Sequence, residues 1–297
     1  MCDVYCVMEK PRILLDTLHT PLYTIGLTPS LTASGGACYR GCSMRWPAIL
    51  INLLYPPACL VCHAALCTTG GANARPPDAA GEAARQLLCG RCAELLQRVN
   101  PPLCSRCGVG LPGAFDAIVQ CATCRTHPRA FEQALAPWRY EGTAGALIRQ
   151  FKYHRRWRIG RWLAEQMVAT AQRSLPLEEV AAVLPVPLHW LKRHLRGTNP
   201  SEELATIVAQ SLKKPCLTHA LRRHRWTRTQ TQLGWRQRAR NVQQAFVARE
   251  RFVRDRTLLL IDDVLTSGAT AEACARALTQ AGARRVFVLT AARTPLE

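Results

Sequence analysis

The sequence predicts an α/β protein: a parallel sheet covered by helices, preceded by a small cysteine-rich module. Three observations predict it. From about residue 131 onward, apolar strand-like runs alternate with amphipathic helix-like runs, the pattern of a parallel sheet with helical crossovers. Cys-x-x-Cys pairs crowd the segment from residue 59 to residue 124. The run LLLIDDVLTSGAT, residues 258–270, reads as a buried strand, two adjacent acids, a small hydroxyl-rich loop and the start of a helix.

The 297 residues allow one large domain or two. Hydrophobic residues make up 48% and charged residues 20%, which excludes a wholly disordered chain. The 39 Lys+Arg exceed the 20 Asp+Glu by 19, so polyanions are the natural partners: nucleic acid, phosphorylated small molecules or an anionic membrane face. A merely solvated basic surface is the alternative. No apolar run reaches the ~18 residues of a membrane-spanning helix. The first thirty residues lack the basic start, apolar stretch and small-residue cleavage site of a secretory signal. The chain is therefore expected in the cytoplasm, where many cysteines point to metal rather than to disulfides.

Residues 1–43 are rich in Thr, Pro and Gly without helical or strand period, and are expected to be a poorly structured extension, either a flexible but real one or one that precedes a natural start at Met44. Residues 44–130 are expected to hold an apolar helix-like stretch (MRWPAILINLLYPPACLVC) and then the cysteine pairs. A Gly/Ala/Pro-rich insert between Cys67 and Cys89 reads as a mobile loop. Residues 131–297 form the α/β domain. ALAPWRY (134–140) reads as a strand, and GTAGALIRQFKY (142–153) and IGRWLAEQMVATAQ (159–172) as amphipathic helices. VAAVLPVPL (180–188) reads as a buried strand ending at prolines. SEELATIVAQSL (201–212) is a helix with Ser201 as its cap and Glu202 and Glu203 at its positive end. RTLLLIDD (256–263), TAEACARALTQAG (270–282) and RVFVLTAA (285–292) complete the pattern as strand, helix and strand.

The pairs Cys59/Cys62, Cys89/Cys92, Cys104/Cys107 and Cys121/Cys124 have the spacing of zinc knuckles. Two intervening residues let both sulfurs face one ion at ~2.3 Å, and two knuckles complete a tetrahedral site. Two structural zinc ions are expected. Sequential pairing is the simplest arrangement, and a crossed pairing has workable spacing too. A thioredoxin-like redox pair or an iron–sulfur cluster is the alternative, although a redox motif needs only one such pair. Cys67 reads as a spare thiol near the first site, and Cys274 as a core residue. Metal would largely hold this segment together, because it is too small for a good core of its own.

In the run at 258–270, Asp262 and Asp263 stand at the carboxyl end of a strand, where ligands bind in open α/β sheets. The loop of Thr266, Ser267, Gly268, Ala269 and Thr270 opens a helix, whose amides and dipole suit a phosphate. The carboxylates suit the vicinal hydroxyls of a sugar, or a magnesium ion on a diphosphate. An N-capped helix after a strand with two exposed acids is the bland alternative.

This run resembles the phosphoribosyl-pyrophosphate (PRPP) signature of type I phosphoribosyltransferases. The resemblance implies that Asp262 and Asp263 hold the ribose hydroxyls as the catalytic acids, and that Thr266 to Thr270 hold the 5-phosphate, with magnesium accompanying PRPP. With the zinc knuckles in front, the chain from about Met44 onward resembles the ComF family of competence and GntX-like proteins. FKY (151–153), PVPL (185–188), RGTN (196–199) and the TQTQ…R…N…AF pattern from Thr229 to Phe246 also carry the likeness. The family usually reads RGFNQ where this chain has RGTNP. The resemblance implies a zinc-ribbon module before a phosphoribosyltransferase-like domain, a role in DNA uptake during natural transformation, and a competence helicase as a further partner.

Two acid-free basic stretches are interleaved with aromatics. Residues 149–161 include Lys152, Arg155 and Arg156 beside Phe151, Tyr153 and Trp157; residues 221–240 include Arg228, Arg236 and Arg240 beside Trp226 and Trp235, and Arg196 lies between the two stretches. Guanidinium groups neutralise phosphates and aromatic faces stack on bases, a combination suited to single-stranded DNA. The same groups suit the diphosphate of PRPP, and a solvated basic face is the third reading. Three functions stay open on the sequence: a PRPP-binding protein that handles single-stranded DNA, a phosphoribosyltransferase acting on an acceptor the sequence does not name, and an accessory protein that binds ribose phosphate only as a ligand.

Overall fold

The computed structural model describes residues 57–66, 84, 87–113, 119–154, 156–188, 197–224 and 245–295. The expectations for residues 1–43, for 44–56, for Cys67 and for the insert up to residue 83 lie outside them.

Numbered along the chain, the described elements are α1 (Gly90–Glu94), α2 (Ala122–Thr126), β1 (Gln133–Leu135), β2 (Trp138–Arg139), α3 (Gly142–His154), α4 (Trp157–Ser174), β3 (Val180–Pro185), α5 (Pro200–Leu212), β4 (Leu221–Arg223), β5 (Phe246–Ala248), α6 (Glu250–Val253), β6 (Thr257–Leu265), α7 (Ala269–Gln280) and β7 (Arg285–Arg293). The main sheet runs β1-β7-β6-β3, with β2 also on β7, and every pairing in it is parallel. β4 and β5 form a separate antiparallel pair.

The elements named from the sequence appear in the expected order, joined by β4, β5 and the short helices α1, α2 and α6 that the sequence reading did not include, and α7 ends two residues early at Gln280; four other details differ. The strand expected over 134–140 is two short ones, because Pro137 has no amide for the ladder. β3 stops at Pro185, three residues before the expected end, for the same reason. β6 runs two residues past the expected end, to Leu265, since β7 continues to offer partners at Ala292 and Arg293. The cap of α5 is Asn199, not Ser201: the Asn199 Oδ1 accepts from the Ser201 amide at 3.2 Å, and Pro200 occupies the first turn, where its missing amide costs nothing. Asn199 also donates to the Val186 carbonyl at 3.1 Å, tying the helix to the chain that leaves β3.

Strand side chains alternate between two cores. Leu259, Ile261, Phe287 and Leu289 face one core, with α3, α4 and α5. Leu258, Leu260, Val286 and Val288 face the other, with α7, β4 and β5, and Cys274 is fully buried there as expected. Each core also takes in one group of cysteines: Cys59 and Cys92 belong to the first, and Cys104, Cys107, Cys121 and Cys124 to the second. The cysteine-rich segment thus clasps the sheet from both faces. On the first face, Gln150 of α3 donates to the Leu60 carbonyl, and Arg98 donates to Gln166 at 3.2 Å while lying over the Trp138 ring. Trp138 stacks on Trp162 at 5.5 Å. On the second face, the Ala134 amide of β1 donates to the Arg106 carbonyl at 2.8 Å. Gly108 has φ +65°, and a Cβ there would collide with the Ala134 carbonyl, so the knuckle and the strand meet backbone to backbone.

Candidate functional site

The cysteines pair sequentially. Cys59, Cys62, Cys89 and Cys92 converge in one group and Cys104, Cys107, Cys121 and Cys124 in another, with the Sγ atoms of each group within 4.8 Å of one another. Cys62 and Cys89 are 3.5 Å apart, and Cys107 and Cys121 3.7 Å apart. A tetrahedral ion with ~2.3 Å bonds has sulfur–sulfur edges of about 3.8 Å, so both groups fit zinc. The amides of Cys107 and Cys121 point at the Cys104 sulfur at 3.5 and 3.3 Å, as a thiolate ligand requires. The protonation pattern agrees with a cation site. Burial and the neighbouring thiols push Cys92 well up, whereas backbone donors offset burial at Cys59 and bring it down to about 6. Four crowded thiols cannot all ionise without a cation among them. Either group could hold zinc. The second is wholly buried, whereas the first has Cys62 exposed.

The acid pair sits in the last part of β6, where its parallel neighbours also end. Asp262 accepts from the Ser201 hydroxyl at 2.8 Å and from the Asp263 amide at 2.9 Å. Burial, then the adjacent Asp263 charge, push its pKa up to about 7, against those two donors. Asp263 forms an ion pair with Lys152 at 3.0 Å, with the two side chains 15% and 19% exposed. Burial alone would depress the Lys152 ammonium; the Asp263 carboxylate reverses this and holds it above the ordinary lysine value. Lys152, expected to serve a diphosphate or nucleic acid, therefore belongs to the acid pair. α3 carries it there, and Phe151 beside it is buried in the core rather than free to stack.

Leu265 ends the strand, and three residues later Gly268 turns with φ +77°, a left-handed conformation that glycine adopts without strain, to cap α7. Thr266 is exposed, Ser267 half-buried and Gly268 buried, and the Ser267 Oγ accepts from the Ala269 amide at 3.4 Å. Ala269 and Thr270 form the first turn of the twelve-residue α7, and the amino end of that helix opens at the same sheet edge as the acids. The loop and the acids thus stand together at the carboxyl edge of the parallel sheet. Residues 221–224 and 245–248 pair as an antiparallel ladder, and the basic, Trp-containing stretch 225–244 lies outside the described residues. Arg155, Arg196, Arg228, Arg236 and Arg240 lie outside the described residues. Arg156 is at the N-cap of α4, half-buried, with its carbonyl accepting from the Ile159 amide at 2.9 Å.

Four participants were not singled out from the sequence. Ser201, read as a cap, instead supports Asp262; its hydroxyl one turn into a helix carries no local sign of a partner 61 residues away. Arg129 reaches the loop, with its Nη2 donating to the Ser267 carbonyl at 3.4 Å. Glu272 accepts from the Ala130 amide at 2.9 Å. Arg293, buried at the end of β7, donates to the Cys107 sulfur at 3.2 Å.

No family model matches the chain. Among curated proteins it is similar to the "DNA utilization protein YhgH" of Salmonella typhimurium strain LT2, at 34% identity over 212 residues, or 70% of this chain and 90% of that protein. The protein of the same name from Escherichia coli O157:H7 is 33% identical over 224 residues, 74% of this chain and 95% of that one. "Competence protein F" of Haemophilus influenzae is 28% identical over 216 residues, 71% of this chain and 92% of that one. Among solved structures, the glutamine PRPP amidotransferase of B. subtilis, complexed with ADP and GMP, aligns at 22% identity and a TM-score of 0.31, covering 44% of this chain and 26% of that one. Two cysteine groups clasping a parallel α/β sheet, together with this extent of identity to YhgH proteins, place the chain in the ComF family.

Proposed function

We propose that this protein binds PRPP with magnesium at a phosphoribosyltransferase-type site and uses its basic, aromatic surface to handle single-stranded DNA in DNA uptake and utilization, in the cytoplasm and beside a helicase. The observation that carries the ligand is the strand–Asp262–Asp263–loop–α7 run at the carboxyl edge of a parallel sheet. Asp262 and Asp263 would accept from the ribose hydroxyls or hold the magnesium ion, Lys152 would balance their charge, and the Thr266–Thr270 loop would hold the 5-phosphate. The names of the relatives, DNA utilization protein and competence protein, support the DNA role. So does the exposure of Tyr153 and Trp157, at 62% and 64%, within a basic stretch. Zinc in both cysteine groups would be structural, since four protein ligands leave no open position for chemistry.

PRPP at 100 times its dissociation constant is expected to stabilise the fold by about 2.7 kcal/mol, read as a rise in melting temperature that requires magnesium. A folded, zinc-loaded protein with no rise would refute the site. For DNA, binding of a labelled oligonucleotide should weaken with salt at a log–log slope of about −0.7 per phosphate neutralised. A flat response, or an unchanged slope in Tyr153→Ala/Trp157→Ala with Arg156→Gln, would refute this surface as the interface.

A second reading, a transferase that turns over, draws on the same acid pair. Positioning and electrostatics would carry such a reaction, which needs no covalent intermediate with the protein. Pyrophosphate released only when a nucleobase or sugar acceptor is added would favour it.

A further inference from the structure

The second cysteine group and the phosphate loop share two arginines. Arg129 follows the ligand Cys124 by five residues, on the segment that leaves α2, and its guanidinium faces the loop. The same guanidinium donates to the Ser267 carbonyl and lies 3.8–3.9 Å from where a Cβ of Gly268 would sit. The next residue is pinned as well: the Ala130 amide donates to Glu272 in the first turn of α7, and Arg276 holds that carboxylate from the other side at 2.8 Å. Arg293 makes a parallel connection. It is 7% exposed, it donates to the Cys107 sulfur, and the Thr294 amide after it donates to the Leu265 carbonyl at 3.0 Å, at the foot of the loop. The loop is therefore tied to the segment that follows Cys124 at Ser267, and at its foot to the residue after the Cys107 partner Arg293.

The charges make this more than packing. Four thiolates around a divalent ion carry a net charge of two negatives, and Arg129 and Arg293 supply two positives. Arg293 keeps two guanidinium nitrogens, and Arg129 its Nε, buried with no acceptor among the described residues. Such donors are costly next to neutral thiols and well matched to a metal-loaded tetrathiolate. Without the metal, four neutral thiols offer these guanidinium groups no counter-charge.

We propose that Arg129 is a positioning residue that couples the second metal site to the phosphate loop, so that metal in the Cys104/Cys107/Cys121/Cys124 group and phosphate at Ser267–Gly268 stabilise each other. The ligand half of this statement rests on the reading of the loop as a phosphate site. Coupling of this kind is reciprocal and commonly amounts to 5–150-fold.

The test uses the full-length, zinc-loaded protein and a colorimetric chelator, with ribose 5-phosphate as the probe. Zinc should leave in two phases, fast from the group with exposed Cys62 and slow from the buried one. Ribose 5-phosphate should slow the second phase at least 5-fold and leave the first unchanged. Arg129→Gln should lose this effect while still binding two zinc ions, and Arg129→Lys should keep part of it. Ribose 5-phosphate that raises the melting temperature without slowing zinc release would overturn the coupling and spare the phosphate site. Ribose 5-phosphate that changes neither would count against the phosphate site, and hydrogen exchange without ligand then decides the coupling: amides 265–271 should exchange faster in zinc-loaded Arg129→Gln than in zinc-loaded wild type, with the rest of the sheet unchanged. Unchanged exchange at 265–271 would overturn it.

Discussion

Removing metal from the second cysteine group should unfold the whole protein, not only the segment that carries it. Cys104, Cys107, Cys121 and Cys124 are all buried in the same core as Leu258, Leu260, Val286 and Val288 of the central strands. Losing the ion leaves four buried thiols and the Arg293 guanidinium without their counter-charges. Structural zinc contributes about 10–16 kcal/mol in small zinc-folded peptides, as much as or more than the ~5–15 kcal/mol of net stability typical of a domain. Cys107→Ser or Cys121→Ser should therefore give an insoluble or proteolysed product at 37 °C. Metal chelation of the wild type should abolish the far-ultraviolet helix signal in one transition. The first group clasps the other face through Cys59 and Cys92 but opens to solvent at Cys62. Cys62→Ser should cost less and yield a folded protein with one zinc. Retention of a cooperative α/β fold after complete stripping of the second group would refute this account.

Substitutions in the acid pair separate ligand binding from stability. Asp262→Asn/Asp263→Asn should lose the PRPP-dependent rise in melting temperature entirely, since both carboxylate charges at the sheet edge are gone. Singly, the two differ. Asp263→Asn strands the Lys152 ammonium, and breaking a fully buried pair costs about 3–5 kcal/mol; the remaining exposure of 15% and 19% reduces this to about 1–3 kcal/mol. Asp262→Asn should leave the fold as stable as the wild type or more so, and the reason gives a pH signature. The Asp262 pKa is raised to about 7 from an ordinary 3.8, so the folded state retains a proton that the unfolded chain releases near pH 4. Its contribution to stability is greatest below pH 4, falls as pH rises to about 7 and is flat above. Asp262→Asn should remove that slope. PRPP with magnesium needs the carboxylate, so its binding should tighten between pH 6 and 8, with a proton released that calorimetry in two buffers detects. Binding without pH dependence in this range would mean that Asp262 takes no part.

Much of this was legible in the sequence, because the signals are local. A run such as LLLIDDVLTSGAT specifies strand, acids, loop and helix through near neighbours only, and the structure differs just by extending β6 to Leu265. The sequential grouping of the cysteines follows from the same economy, as the shortest loops close most easily. Prolines misled at the margins: Pro137 splits one strand and Pro185 ends another early. Single basic residues were legible only as charge. Nothing near Lys152 in the chain marks it as the partner of Asp263, or distinguishes it from its exposed neighbours Tyr153 and Trp157.

By itself, the sequence determined the main strands and helices of the α/β domain, their order, the four cysteine knuckles and the acid–loop run, since each depends on short-range periodicity, spacing or turn chemistry; the grouping of the knuckles was settled by the structure. Only the tertiary structure decided that the cysteine segment clasps the sheet on both faces, that Ser201 and Lys152 hold Asp262 and Asp263, that Arg129 reaches Ser267 and that Arg293 reaches the Cys107 sulfur. Those contacts join residues 61 to 186 positions apart, and they form because the low-dielectric interior leaves a buried charge or hydroxyl no partner except the one that folding brings to it.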